Sequence, residues 1–199
     1  MEESVNADKK GNTKKVANKT YLLYGIIFIL LIFLSFSLDS QITRGISSLR
    51  SPVFDFFMMI FTYGSTLAIV AIPSIIIFLK DRKMLLKYWF SAALVAFTLV
   101  LIKMIFHRER PFQALDLALP ASLIQTSYSL WDFSFPSNHV AISFSALPFL
   151  KGKFFLIWMI LAILVVFSRL YFGLHYLSDV LMGAFLGYFI PILVLKYLK

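Results

Sequence analysis

The sequence predicts an all-α, polytopic membrane protein: six transmembrane helices with a functional site at their extracytoplasmic ends. Three observations predict it. Of 199 residues, 60% are hydrophobic and 22 are Phe, far above the roughly half-apolar usage of a soluble domain. The apolar residues fall into six runs near the ~17–25 residues that cross a hydrocarbon core. Basic residues collect in alternate connections, the pattern of a chain that weaves through a bilayer with its positive loops inside.

Residues 1–20 are polar, carry Lys9, Lys10, Lys14, Lys15 and Lys19, and hold too few apolar residues to pack, which predicts a disordered cytoplasmic tail. Residues 21–199 form the membrane domain. Its first span, 21–38, follows those lysines but has no convincing small-residue cleavage site, so a retained helix is expected and not a secretory signal. The further spans are 53–79, 88–106, 136–150, 154–172 and 177–198. The fourth is the shortest and extends only by borrowing loop residues. Lys80, Arg82, Lys83 and Lys87, then Lys151 and Lys153, then Lys196 and Lys199 join the tail lysines on one side, thirteen of the 19 basic residues. Both termini are therefore expected in the cytoplasm, with the longest outer loop at 107–135. Within it the semi-apolar piece from Leu115 to Ile124 is expected on the membrane surface, and Tyr128 and Trp131 suit an interfacial aromatic belt.

Cysteine is absent, which excludes a disulfide framework, a thiolate nucleophile and a Cys-ligated metal. A formal charge of +9 raises nucleic acid, yet the basic residues lie scattered between apolar runs and build no basic face. No nucleic acid and no obligate protein partner is expected. The partners are the bilayer and a membrane-borne substrate.

The remaining basic residues and all three histidines fall in the outer layer, in three motifs that the alternation of spans places at one face. In the first, KMIFHRERP, Lys103 and Arg110 are seven residues apart, two turns on one helical stripe, and Pro111 discourages the helix from continuing. Alone, this equally describes a snorkelling lysine and a helix end. In the second, FPSNH, Pro136 and Ser137 favour a helix start whose N–H groups and dipole receive anions, with Asn138 on the backbone there and His139 within the first turn. Alone, it is also a plain cap with an interfacial histidine. In the third, SRLYFGLHYLSD, His175 and Asp179 are four apart and share a helical face, so the carboxylate can hold one ring nitrogen while the other points outward. Arg169 adds a third cation, although a buried Arg169–Asp179 ion pair is the structural alternative. Together the residues describe a pocket for a dianion. Phosphoryl transfer needs mainly positioning and charge stabilisation. Apart from Asp179, Glu109 is the only acid within these motifs, too few for a metal cluster, so neither metal nor other cofactor is expected. His107, Arg108 and Glu109 read equally as head-group contacts or interfacial solvation, and Asp55 as a hydrated helix end.

The three motifs in this order and spacing resemble the type-2 phosphatidic acid phosphatase superfamily, over Lys103 to Asp179. The short connections resemble its small bacterial phosphatidylglycerophosphatase B type. The resemblance implies a metal-independent phosphatase of the bacterial cell membrane, working in phospholipid biosynthesis on phosphatidylglycerophosphate, with undecaprenyl pyrophosphate as the competing substrate. It implies that His175 is the nucleophile, forming a phosphohistidine, that Asp179 orients it, and that His139 protonates the leaving oxygen and later activates water. Lys103, Arg110, Ser137 and Arg169 would grip the phosphate. Asn138 stands where the family usually has Gly, a tuning change if the turn needs a conformation Gly reaches easily. The reading from another class is a transporter that binds an anion without cleaving it, but such proteins place sites at the midplane, often between repeated halves. The sequence shows no repeat.

Overall fold

A computed structural model describes residues 2–120, Leu123 and 133–198, with side chains from Gly25 onward. Among the described residues every regular element is helical. They are α1 (Glu2–Ser47), α2 (Pro52–Lys80), α3 (Arg82–Phe106), α4 (Pro111–Ala114), α5 (Asn138–Ser145), α6 (Lys153–Tyr171) and α7 (Leu177–Tyr197), with a 3₁₀ turn at Leu147–Phe149. Five stretches are long and apolar enough to cross a bilayer: Gly25–Ser47, Pro52–Lys80, Arg82–Ala114, Lys153–Tyr171 and Leu177–Tyr197. Large apolar side chains such as Leu67, Leu79 and Ile105 are exposed on these helices, as a hydrocarbon solvent allows.

The chain divides into two compact units, one ending at Ser37 and the other running Leu38–Lys199. The first is a length of α1 whose Ile29, Leu30 and Phe33 are exposed. Helix continues back to Glu2, so the stretch expected as a disordered tail is helical. Once an apolar helix has nucleated, each added residue needs only its own hydrogen bond. At the other end α1 runs nine residues past the expected limit at Leu38, and two of the added residues, Asp39 and Thr43, are fully buried.

The second unit is organised around α5. The expected fourth span becomes this eight-residue helix and the 3₁₀ turn, because Pro148 has no N–H to continue the ladder. Eight residues rise only ~12 Å, well short of a ~30 Å core. The element is instead surrounded by protein: Val140, Ala141, Ser143, Ser145 and Ala146 are buried. Ala141 packs with Val95 and Leu99 of α3, Val140 with Leu170 of α6 and Val180 of α7. The 3₁₀ residue Leu147 joins Ile69 and Ile77 of α2 and Trp158 of α6.

Helix α7 lies backbone to backbone on α5. A Cβ at Gly187 would stand 2.1 Å from the Ala141 carbonyl oxygen, and one at Gly183 2.7 Å from the Ser137 carbonyl oxygen. Small residues four apart therefore bring the two site-bearing helices into contact. At the start of α2, Arg50 pairs with Asp55 at 2.9 Å and the Tyr171 hydroxyl donates to the same carboxylate at 2.8 Å. Asp55 is thus paired, not merely hydrated.

Candidate active site

The three sequence motifs meet at the N-terminal end of α5. Lys103, Arg110, Ser137, Arg169, His175 and Asp179 are all buried, and His139 is half-buried beside them. The charges of Arg110, Lys103 and Arg169 act on His175, and the same three cations with His175 surround His139. Each cation is held by backbone from another element. Lys103 donates to the Phe133 carbonyl, Arg110 to the Leu174 carbonyl at 3.0 Å, and Arg169 to the Thr62 carbonyl at 2.9 Å and the Ser65 hydroxyl at 3.2 Å. These bonds fix long side chains in place before any ligand arrives.

His175 sits in the turn between α6 and α7. The turn closes through Gly173, at φ 63°, a left-handed conformation that Gly adopts at no steric cost. The His175 N–H and that of Leu174 both donate to the Arg169 carbonyl. The imidazole Nδ1 lies 2.8 Å from the Ser134 carbonyl oxygen. A carbonyl only accepts, so Nδ1 carries the hydrogen and the neutral ring keeps its lone pair on Nε2. Burial, and then the positive charges of Arg110, Lys103 and Arg169, hold the imidazole well below the ordinary histidine range, opposed by the Ser134 carbonyl.

Asp179 stands 3.6 Å from Nδ1, beyond a hydrogen bond. The expected direct grip is replaced by an indirect one. Its carboxylate accepts the Ser134 hydroxyl, the Tyr176 N–H at 2.7 Å and Arg108 at 2.8 Å. Ser134 thus gives its carbonyl to His175 and its hydroxyl to Asp179. The same Arg108 reaches Asp39 at 2.7 Å and covers the Tyr176 ring at 3.9 Å. Asp39 also accepts the Ser178 N–H at 2.9 Å and its hydroxyl at 2.5 Å. Arg169 does not pair with Asp179 in any described bond; Arg108 does.

Ser137 precedes α5 and accepts the first helical bond, from Ala141, at 3.0 Å. Its hydroxyl is buried without a hydrogen-bond partner among the described residues, and so has a hydrogen to give. His139 Nε2 lies 3.4 Å from the Thr66 hydroxyl. Asn138 is exposed, and the described non-glycine residues with positive φ are His107 and Asp116. Asn138 therefore occupies ordinary backbone, which any residue type adopts without strain. His107 ends α3 in the left-handed region and meets Phe133 edge to face, outside the cation ring. Tyr128, Trp131 and most of the second half of the semi-apolar loop piece lie outside the described residues.

Sequence reasoning missed Asp39, Ser134 and the structural role of Arg108. An acid inside a membrane span is a signal in itself, and Asp39 shares its helical stripe with Thr43. Ending the first span at Leu38 hid it. Ser134 gave no signal, since its contribution is half backbone.

A helical membrane protein with a buried cation ring, a lone-pair-bearing imidazole and an orphan hydroxyl defines the class of membrane phosphate-ester enzymes. The PAP2 superfamily model matches residues 84–199, and the chain belongs to that superfamily of membrane lipid phosphatases. A lipid A 4'-phosphatase of Bacteroides thetaiotaomicron is 31% identical over 170 residues, 79% of this chain and 75% of that protein. An uncharacterized protein of Methanocaldococcus jannaschii is 29% identical over 160 residues, 73% of this chain and 62% of that one. Among solved structures, Aquifex aeolicus LpxE superimposes with a TM-score of 0.63 at 25% identity, covering 80% of this chain and 96% of that one. The PAP2-type phosphatidylglycerolphosphate phosphatase of Bacillus subtilis gives 0.66 at 22% identity, with 86% and 94% covered, and shares the fold.

Proposed function

We propose that this chain hydrolyses the phosphomonoester of a membrane lipid, without a metal, through a phosphohistidine on His175. The observation that carries the reading is the Nδ1 bond to the Ser134 carbonyl, which leaves Nε2 as a lone pair inside the ring of Lys103, Arg110 and Arg169. In the first step His139, held neutral at rest by burial and the three cations, takes up a proton as the dianion offsets their charge; Nε2 attacks phosphorus, the bond from phosphorus to the lipid oxygen breaks, and His139 gives that oxygen the proton. In the second step His139 takes a proton from water, the resulting hydroxide attacks phosphorus, and the P–N bond breaks to free phosphate and His175. The three cations, the Ser137 hydroxyl and the start of α5 at Asn138 stabilise the equatorial oxygens. Asp179, acting through Ser134 and backed by Arg108, steadies the imidazole as positive charge develops on it.

The motif set favours phosphatidylglycerophosphate, converted to phosphatidylglycerol in phospholipid biosynthesis. The 31% identity to a lipid A 4'-phosphatase favours a phosphorylated glycolipid as the second reading. Undecaprenyl pyrophosphate stays as the third. The basic connections support cytoplasmic termini and an extracytoplasmic site in a bacterial cell membrane. The test is phosphate release by purified protein with excess chelator, offering the three lipids side by side, with His175→Ala as control. Chelator-resistant release lost in the variant supports the mechanism, and the ranking assigns the substrate. Binding of these lipids without release from any of them overturns the reading and favours the anion-binding transporter.

A further inference from the structure

Between α2 and α6, backed by Ser143 of α5, lies a cavity of about 210 Å³. Its lining runs along Gly64, Ser65, Ala68 and Ile72 on one wall and Ala162 and Trp158 on the other. The lining is apolar except at Ser65 and Ser143, and both have commitments elsewhere. The Ser65 hydroxyl receives Arg169, while the Ser143 hydroxyl donates to the His139 carbonyl and its own carbonyl receives Trp158 Nε1 at 2.8 Å. Water has few partners there, so the space suits hydrocarbon. It is kept open by small residues: a Cβ at Gly64 meets no atom within 4 Å. Its upper end adjoins the candidate site, since Ser65 touches Arg169 and the next residue, Thr66, faces His139. From Ser65 the slot descends seven residues to Ile72, ~10 Å along the helix, with the anchored Trp158 indole along the opposite wall.

Resting on the phosphatase reading, we infer that this cavity holds one hydrocarbon chain of the substrate lipid. A phosphate gripped by Arg169 leaves its nearest chain at the mouth of the slot. Gly64 and Ala68 are then specificity-determining: they set how much chain is buried beside the reacting phosphate, so that long-chain phosphates are selected over short-chain, water-dispersed ones of the same head group.

The test fills the slot with Gly64→Leu and, separately, Ala68→Leu, neither of which touches the phosphate site. For the head group the parent enzyme cleaves best, kcat/KM is measured on the long-chain lipid and on a form with six-carbon chains. The long-to-short ratio is expected to fall about tenfold in each variant, with short-chain rates near the parent's. An unchanged ratio overturns the inference. Where a variant loses both activities, the parent is photolabelled with a long-chain lipid phosphate carrying a diazirine in the chain. Adducts on the α2 and α6 cavity walls support the slot, and adducts confined to other faces overturn it. A parent that cleaves no lipid phosphate fails the phosphatase reading itself, a result distinct from an active parent with an unchanged ratio.

Discussion

Replacing Gly187 by Ala tests how tightly catalysis depends on the approach of α7 to α5. The new Cβ would lie 2.1 Å from the Ala141 carbonyl oxygen and 2.8 Å from that residue's carbonyl carbon and Cα. Carbon and oxygen settle at ~3.3 Å or more, and the obstacle is backbone, which no rotamer change relieves. The two helices must separate by ~1 Å. Overpacking of this kind costs ~1–3 kcal/mol, several degrees of Tm for a chain this size. The loss of rate is expected to be larger in proportion. Helix α5 carries His139 and follows Ser137, while α7 carries Asp179 and follows His175, so the separation pulls one half of the site from the other. A displacement of ~1 Å near reacting groups costs ~100-fold. Turnover and thermal unfolding in detergent measure both effects. Gly183→Ala, at 2.7 Å from the Ser137 carbonyl oxygen, is expected to be milder in stability. Gly45→Ala, whose Cβ meets no atom within 4 Å, is the neutral control. Parental turnover and Tm in Gly187→Ala refute the argument.

Arg108→Gln is expected to lower stability by ~3–5 kcal/mol, because it leaves the Asp39 and Asp179 carboxylates buried without their cation. Adding Asp39→Asn should recover part of that loss in thermal unfolding, and simple additivity of the two single losses contradicts the shared network. Ser137→Ala should leave Tm unchanged, since its hydroxyl has no described partner to lose, while weakening inhibition by inorganic phosphate about tenfold; equal inhibition removes Ser137 from the anion site. The lowered pKa of His175 has a stability consequence of definite sign. Above ~6.5 the ring is neutral in both states; below it the unfolded chain gains a proton the fold refuses, so stability falls as pH drops. Between pH 7 and 5.5 this amounts to ~1 kcal/mol, and denaturant titrations of His175→Gln should lack that increment. Because the chain has no Cys, single introduced cysteines report topology directly. Asp116→Cys should label from outside intact cells and Lys83→Cys only after permeabilisation, and the reverse pattern inverts the assigned orientation.

The long helices were legible in the sequence because apolar length and the side of each lysine are properties of the chain itself. The meeting of KMIFHRERP, FPSNH and SRLYFGLHYLSD was legible because the alternation of spans brings them to one end of the helices. Three features were not. The fourth span falls short of a crossing on its own, and only the packing of neighbours around Val140 and Ala141 shows that the chain makes a short buried helix there. The partner of His175 was assigned to Asp179 by spacing and by the family resemblance, whereas the loop residue Ser134 intervenes with a backbone carbonyl that every residue type possesses. Asp39 was within reach, but polar neighbours Ser40, Gln41 and Thr43 resemble a loop unless one knows that their helix turns Asp39 and Thr43 inward.

The buried groups that close the site also carry an arithmetic of their own. Lys103, Arg110 and Arg169 contribute three positive charges, while the Asp39, Arg108 and Asp179 trio behind His175 sums to one negative. Glu109, exposed at the rim, is screened by water. Among the described residues, and histidine protons aside, these six charges sum to two positive, on the proposed reading the counterpart of a phosphomonoester dianion. The ordinary phospholipids that crowd the same membrane are diesters, with a single negative charge and a second ester arm where the pocket expects a bare oxygen. On that reading, a protein dissolved in phospholipid favours the monoester over its own solvent.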